Sequence, residues 1–181
     1  CSRLSGSRLD TGVTPTIGVE FSAYNFSATD GSKVKCQIWD LAGSHLYRNI
    51  VKDYYREVAA VIIVFDLSSH ESLEGVERWK EELEKETSLP PLGTLLIGNK
   101  TDKERCVTKA EASALAQSLN MCYVETSALR GDPKLGVSHF LESLLKSEVI
   151  AGHPGVKRFP TRDPYAALDS KYLLPTGPLC P

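Results

Sequence analysis

Apolar residues follow two different patterns along this chain, and the two patterns alternate. Continuous apolar runs at residues 59–65 and 95–98 are typical of strands buried on both faces of a parallel sheet. After each run, apolar residues recur every three or four positions, as on one face of a helix. The alternation predicts an α/β fold with a doubly wound, mostly parallel sheet. The predicted core stripes of the helices are Leu73, Val76, Trp79 and Leu83; Ala112, Leu115, Ala116 and Leu119; and Val137, Phe140, Leu141 and Leu144.

Polar residues mark where these helices begin. The spacings Ser68-x-x-Glu71 and Thr108-x-x-Glu111 are those of capping boxes, in which two side chains satisfy free amides of the first helical turn. The last helix is predicted to start near Pro133, because proline suits the first helical position.

The two ends of the chain differ from this regular middle. Val34, Cys36 and Ile38 alternate with polar residues and follow a turn-like stretch at residues 29–32, which predicts a half-buried antiparallel edge strand. Six of the ten prolines lie between Pro154 and Pro181. We therefore expect a domain at residues 1–149 and a disordered, proline-rich tail at residues 150–181.

A polar loop, Asn99-Lys100-Thr101-Asp102, follows the apolar run that ends at residue 98. The carboxyl ends of parallel strands are where α/β sheets bind ligands. An ionised Asp102 can accept hydrogen bonds from both N1–H and the exocyclic amine of guanine, a donor pair that adenine lacks. Asn99 can connect the guanine N7 to a second loop, and the aliphatic stem of Lys100 can lie along the base. This loop predicts a guanine site.

Further motifs fit a nucleotide that carries phosphates. Asp40 is followed by Gly43 in a D-x-x-G pattern, in which the carboxylate can hold a water bound to Mg²⁺ and the glycine amide can approach a γ-phosphate. Thr16 supplies a hydroxyl before a strand, and backbone amides near Ser127 and Ala128 can face the guanine O6.

The order of these motifs resembles the Ras superfamily of small GTPases and, within it, the Rab family, over residues 1–149. The resemblance implies GTP or GDP and Mg²⁺ as ligands, with Thr16 and, through water, Asp40 at the metal. It implies a base and phosphate site that includes the residues above and Leu129. The Rab-type segments are residues 17–21, 35–39, 46–51, 54–58 and 60–66.

The resemblance also implies a surface that reports the nucleotide state. It would contain Ile17, Phe21, Trp39 and Tyr54, although each aromatic residue can equally be an ordinary half-buried core residue. The implied partners are effector proteins, an exchange factor and a GTPase-activating protein. We expect a monomer or a subunit of a trafficking complex.

Two departures from the family pattern limit this interpretation. The phosphate-binding G-x-x-x-x-G-K-[ST] loop is absent, since the chain starts at Cys1 where the following helix is expected, so we expect the first strand to be missing and to leave an unfilled gap in the sheet. Ser44 stands where the family has a glutamine that orients the attacking water, and we expect slow hydrolysis because its hydroxyl is too short. The neighbouring His45 can substitute for the glutamine or be an exposed bystander.

Composition excludes several classes of function. A net charge of −2 and the lack of a basic run with aromatic residues argue against nucleic acid as a partner. Five cysteines without metal-ligand spacing are typical of reduced thiols in a cytoplasmic protein. The sequence has no long apolar run for a transmembrane helix, and its ending at Cys180 and Pro181 matches no prenylation motif.

The sequence therefore predicts a GTP-binding switch of Rab type that recruits effectors in vesicle or intraflagellar trafficking. It would be cytoplasmic, at a cilium or on membranes through partners. The alternative is a pseudoGTPase that serves as a fixed protein-binding scaffold.

Overall fold

A computed structural model describes residues 14–28, 31, 33–56, 58–130, 133–146, 153–156 and 173–179. Strands and helices alternate from residue 60 onward, as predicted. In chain order the elements are β1 (Val19–Ser27), β2 (Lys33–Leu41), α1 (Arg48–Val51, between the 3₁₀ turns His45–Tyr47 and Lys52–Tyr55), β3 (Ala60–Asp66), α2 (His70–Glu86), β4 (Gly93–Asn99), α3 (Lys109–Ser118), β5 (Cys122–Glu125), α4 (Pro133–Leu145) and β6 (Leu173–Leu179).

The strands form one six-stranded sheet in the order β1-β2-β6-β3-β4-β5. Among the strands that the structure describes, β1 alone runs antiparallel to its neighbour, pairing with β2 from Val19 opposite Leu41 to Ser27 opposite Lys33. The other pairs are parallel, which confirms the predicted α/β sheet with one antiparallel edge strand. The carboxyl ends of β2 to β6 therefore lie along one edge, where the polar loops begin.

The strand β6 lies in the centre of the sheet, a position that we expected to be an unfilled gap. It pairs with β2 at residues 173–176 and with β3 at residues 176–179, so its two halves bond to different neighbours. Facing edges of two strands carry free N–H and C=O groups, and an inserted strand satisfies them. Within the predicted tail, the structure describes residues 173–179 as this strand. The predicted domain boundary at 149/150 lies outside the described residues.

The helical stripes pack on the two faces of the sheet, as their spacing predicts. One core cluster places Val76 and Leu83 of α2 and Ala112 and Ala116 of α3 against the sheet. The other places Val137, Phe140 and Leu141 of α4 on the opposite face. Among the described residues, no helix is both long enough and apolar enough to cross a bilayer.

One of the two predicted capping boxes is confirmed. Thr108 accepts from the amide of Glu111, and the Glu111 carboxylate accepts from the Thr108 amide. The other prediction is wrong, because α2 is capped by Ser69, which accepts from the amide of Ser72, and not by Ser68. Ser68 is engaged elsewhere, since its amide and hydroxyl both donate to Asp66. The predicted turn at residues 29–32 lies mostly outside the described residues.

Candidate functional site

Two loops at the carboxyl edge of the sheet are joined through Asn99. This residue ends β4, and its Oδ1 accepts a hydrogen bond from the backbone N–H of Ala128 at 3.0 Å. A second link runs from the amide of Thr101 to the carbonyl of Thr126 at 3.2 Å. The structure thus brings together the loop after β4 and the loop after β5, as the predicted bridging role of Asn99 requires.

The carboxylate of Asp102 lies between these loops and is half-buried. Its Oδ1 accepts a hydrogen bond from the hydroxyl of Ser127, which is 3% exposed. The same hydroxyl accepts from the Arg130 amide at 2.9 Å, so its one proton is directed at Asp102. This hydrogen bond from Ser127 lowers the pKa of Asp102. Asp102 is therefore an ionised, acceptor-only group held in a fixed place.

Lys100 differs from an ordinary exposed loop lysine. Its backbone has φ of +68°, in the left-handed region, and its ammonium Nζ lies 2.6 Å from Oδ2 of Asp66. Sequence reasoning did not identify Asp66 as part of the site. A signal was available, because Asp66 is an acidic residue that directly ends a buried apolar strand, and it pairs in register with Asn99 of β4.

An ion pair braces the far side of the loop after β4. Both terminal nitrogens of Arg105 bond to the Glu125 carboxylate, at 3.0 and 2.6 Å, and the Tyr123 hydroxyl donates to the same carboxylate at 2.7 Å. The amides of Cys106 and Val107 both donate to the carbonyl of Leu67. These bonds fix residues 100–108 against the ends of β3 and β5.

The predicted phosphate and metal residues lie at the same edge of the sheet. The amide of Ala42 donates to the carbonyl of Gly18 at 2.9 Å, which joins the segment that contains Thr16 to the loop that contains Gly43. Asp40 lies near the carboxyl end of β2, just before this loop. The described residues contain no group of three acidic, histidine or cysteine side chains that would hold a metal alone. One carboxylate and one hydroxyl suit Mg²⁺, which commonly keeps waters and shares its coordination with substrate phosphates. The residues present therefore fit the implied metal.

The predicted catalytic residues show a local role for Ser44. Ser44 is exposed, its hydroxyl accepts from the Leu46 amide at 3.4 Å, and its carbonyl accepts from the Tyr47 amide at 3.1 Å. These bonds start the 3₁₀ turn before α1. The His45 side chain lies outside the described part of the chain.

The predicted surface aromatics form a continuous row. Ring centroids of Phe21 and Trp39 are 5.0 Å apart, and those of Trp39 and Tyr54 are also 5.0 Å apart. Phe21 is 54% exposed, whereas Trp39 and Tyr54 are half-buried against the core. Ile17 is 74% exposed, and Leu129, predicted beside the base, is 62% exposed.

Two ion pairs hold the segment that contributes Tyr54 to this row. Arg48 Nε lies 3.2 Å from a carboxylate oxygen of Glu82, and Lys52 Nζ lies 2.7 Å from one of Glu86. Both acceptors are on α2. The segment after Gly43 is therefore attached to that helix.

A sequence model of the Ras family matches residues 2–147. The Ras-related protein Rab-42 of Mus musculus is 40% identical over 115 residues, which are 63% of this chain and 54% of that protein. The GTP-binding protein ypt3 of Schizosaccharomyces pombe is 42% identical over 116 residues, 63% of this chain and 53% of that protein. The Ras-related protein RIC2 of Oryza sativa subsp. japonica is 38% identical over 130 residues, 71% of this chain and 59% of that protein.

The sheet, its polar edge and the matched family model define a Ras-like G domain, and the chain belongs to the Ras family. Its similarity to Rab and Ypt proteins at about 40% identity places it in the Rab branch of that family. The chain spans about half the length of the curated relatives that it matches.

Proposed function

We propose that the intact protein is a GTP-binding switch of Rab type that recruits effector proteins in vesicle or intraflagellar trafficking, with slow intrinsic GTP hydrolysis. One observation carries the proposal. The ionised Asp102, directed by the buried Ser127 hydroxyl, lies at the junction that Asn99 and Ala128 form between two loops. This junction presents a fixed acceptor fork at the sheet edge where α/β proteins bind ligands.

Each residue of the junction has a specific part in base recognition. Asp102 accepts from N1–H and the exocyclic amine of guanine, and adenine cannot supply this pair of donors. Asn99 donates through its amide to the guanine N7 while its Oδ1 holds the loop after β5. Ser127 and Leu129 would present backbone amides toward the guanine O6, whereas the Ala128 amide holds the junction through its bond to Asn99. Leu129 adds little cover over the base because it is a short, exposed apolar side chain.

The loops at Thr16 and Gly43 would respond to the γ-phosphate. Mg²⁺, when bound, supplies positive charge against the phosphates. Thr16 would hold it through its hydroxyl, and Asp40 through a water. The bond between Ala42 and Gly18 connects the two loops, so ordering one would constrain the other. The row of Phe21, Trp39 and Tyr54 runs along this region and would transmit the state to effectors. An exchange factor and a GTPase-activating protein would set the state.

Slow hydrolysis follows from Ser44. A glutamine side chain can both accept from and donate to an attacking water, whereas a serine hydroxyl on the same backbone stops about two to three bond lengths short. In addition, the hydroxyl of Ser44 bonds to the Leu46 amide. The protein would therefore remain loaded with GTP until a partner supplies the missing group.

The first experiment measures base choice in the intact protein. A fluorescent GDP is displaced with GTP, GDP or ATP, and the dissociation constants are compared. We expect GTP and GDP to bind at least about 100-fold more tightly than ATP, since ATP leaves the Asp102 carboxylate without its two donors. Equal affinities for GTP and ATP would refute a guanine site.

The local engagement of Ser44 favours one alternative, a pseudoGTPase that binds partners as a fixed scaffold. Single-turnover hydrolysis distinguishes the two. A slow switch should hydrolyse faster as Ser44→Gln and change little as His45→Ala. A scaffold should show no hydrolysis in any variant and should bind its partners equally with GTP and with GDP. A large loss on His45→Ala would instead assign His45 to the water.

A further inference from the structure

The two carboxylate oxygens of Asp66 have separate tasks. Oδ1 accepts from the amide and the hydroxyl of Ser68, at 2.9 and 2.7 Å. Oδ2 bonds to the ammonium of Lys100 at 2.6 Å. Asp66 itself is 7% exposed. Its orientation is therefore fixed by one residue of its own turn, which leaves the second oxygen aimed at the neighbouring loop.

The backbone around Asp66 is also fixed. Its amide donates a hydrogen bond to the Ser72 hydroxyl at 2.9 Å, and its carbonyl accepts one from the same hydroxyl at 3.0 Å. The Ser69 amide donates to that carbonyl as well. Asp66 is thus held by the first turn of α2, whereas the residue it contacts, Lys100, belongs to the loop after β4.

Lys100 occupies a backbone conformation that lysine rarely adopts. The left-handed region is unfavourable for a residue with a side chain, so neighbouring contacts must hold Lys100 there. The turn is closed by the Lys103 amide, which donates to the Lys100 carbonyl at 3.0 Å. A long lysine side chain on such a turn would ordinarily sample many rotamers, and fixing it costs conformational entropy. The contact with Asp66 removes that freedom before any ligand arrives.

We propose that Asp66 is a positioning residue of the guanine site, which anchors the Lys100 ammonium so that the aliphatic stem of Lys100 is held ready to cover one face of the base. This inference rests on the proposed function. Asp66 would act through Lys100, and we assign it no direct contact with the nucleotide. Burial by itself would raise the pKa of Asp66, but the bonds from Lys100 and Ser68 outweigh it and lower the pKa, so the anchor is charged at neutral pH.

The test is a double-mutant cycle on GDP release from the intact protein. Asp66→Asn should accelerate release of a fluorescent GDP about tenfold, because the ammonium loses its charged partner. Lys100→Met keeps an apolar stem but removes the ammonium. In the Lys100→Met background, Asp66→Asn should change release less than about twofold. Glu104→Gln, a change at an exposed carboxylate on the same loop, is the control and should leave the release rate unchanged.

A second readout separates positioning from general damage. Asp66→Asn should keep the wild-type preference for GDP over XDP, because Asp102 sets base choice. In the protein without nucleotide, the ¹⁵N-labelled Lys100 ammonium should show slowed hydrogen exchange that Asp66→Asn abolishes. Suppose that wild type binds GDP, but Asp66→Asn releases it at the wild-type rate or accelerates release equally with Lys100 present and in the Lys100→Met variant. The positioning role of Asp66 is then wrong, while the proposed function still stands. If wild type binds no guanine nucleotide, the proposed function and the inference both fail.

Discussion

Oδ1 of Asn99 accepts the backbone N–H of Ala128 at 3.0 Å, so the last residue of β4 holds the loop that follows β5. The two strands are already paired in parallel up to Gly98 opposite Glu125. The side chain extends this pairing by one step beyond the sheet, at the point where both backbones turn away. The geometry of the candidate base site therefore depends on a side-chain oxygen, that of Asn99, in the place of a backbone carbonyl acceptor.

Replacing Asn99 by alanine should loosen the loop after β5. The Ala128 amide loses its acceptor and must find water, which should lower the free energy of unfolding by about 1 kcal/mol. Hydrogen exchange at the Ala128 amide should accelerate more than exchange in the strands. Asn25→Ala, on an exposed strand position, is the control and should change neither quantity measurably. Unchanged exchange at Ala128 in Asn99→Ala would contradict the bracing role.

Stability in mild acid should depend on the pair between Arg105 and Glu125. The bond from Arg105 lowers the pKa of Glu125 below its ordinary value of 4.5, so the folded state holds this proton less tightly than the unfolded state does. The contribution is complete above about pH 4.5 and is lost as the pH falls through the folded pKa. Glu125→Gln should therefore lower the unfolding free energy by about 1–2 kcal/mol near neutral pH and by progressively less below about pH 4.5.

Urea unfolding at several pH values checks this prediction. The difference between wild type and Glu125→Gln should shrink as the pH falls. Glu104→Gln, a change at an exposed carboxylate on the same loop, should give a difference near zero throughout. A difference for Glu125→Gln that grows toward low pH would show that the sign assigned to this pair is wrong.

The central strand β6 makes a prediction about the chain itself. Ending the chain after residue 172 removes β6 and exposes the facing edges of β2 and β3, so we expect a lower unfolding midpoint and aggregation. Those amides of β2 and β3 that bond to β6 in the full chain should lose protection from exchange. Removing only residues 180–181 is the control. A truncated chain as stable as the original would mean that β6 contributes nothing to the sheet.

The sequence was sufficient to predict the elements whose apolar residues recur at regular intervals. Apolar periodicity identified the core faces of α2, α3 and α4, because burial of a helix face leaves a regular pattern. The junction of Asn99, Asp102 and Ser127 was also predictable, since polar residues after parallel strands gather at one edge. The sequence was less able to tell which of two neighbouring residues caps a helix. Ser68 and Ser69 are equally good caps in sequence, and the Asp66 carboxylate decides between them by engaging Ser68.

The contacts that the sequence missed depend on partners distant in the chain. Lys100 and Asp66 are 34 residues apart and meet only because β3 and β4 pair in register. The strand β6 could not be predicted, because Pro175 and Pro178 lack the N–H that a central strand normally donates. Its place in the sheet is set by pairing with β2 and β3, which are distant from it in the chain.

The most direct test of the central claim is the base preference of Asp102→Asn in the intact protein. An asparagine amide can donate to the C2 carbonyl of xanthine, but it cannot accept both guanine donors. The account predicts that wild type binds GTP far more tightly than XTP, and that Asp102→Asn reverses this order in a competition titration. If Asp102→Asn binds GTP as tightly as wild type and gains nothing for XTP, Asp102 does not read the base and the proposed guanine site is wrong.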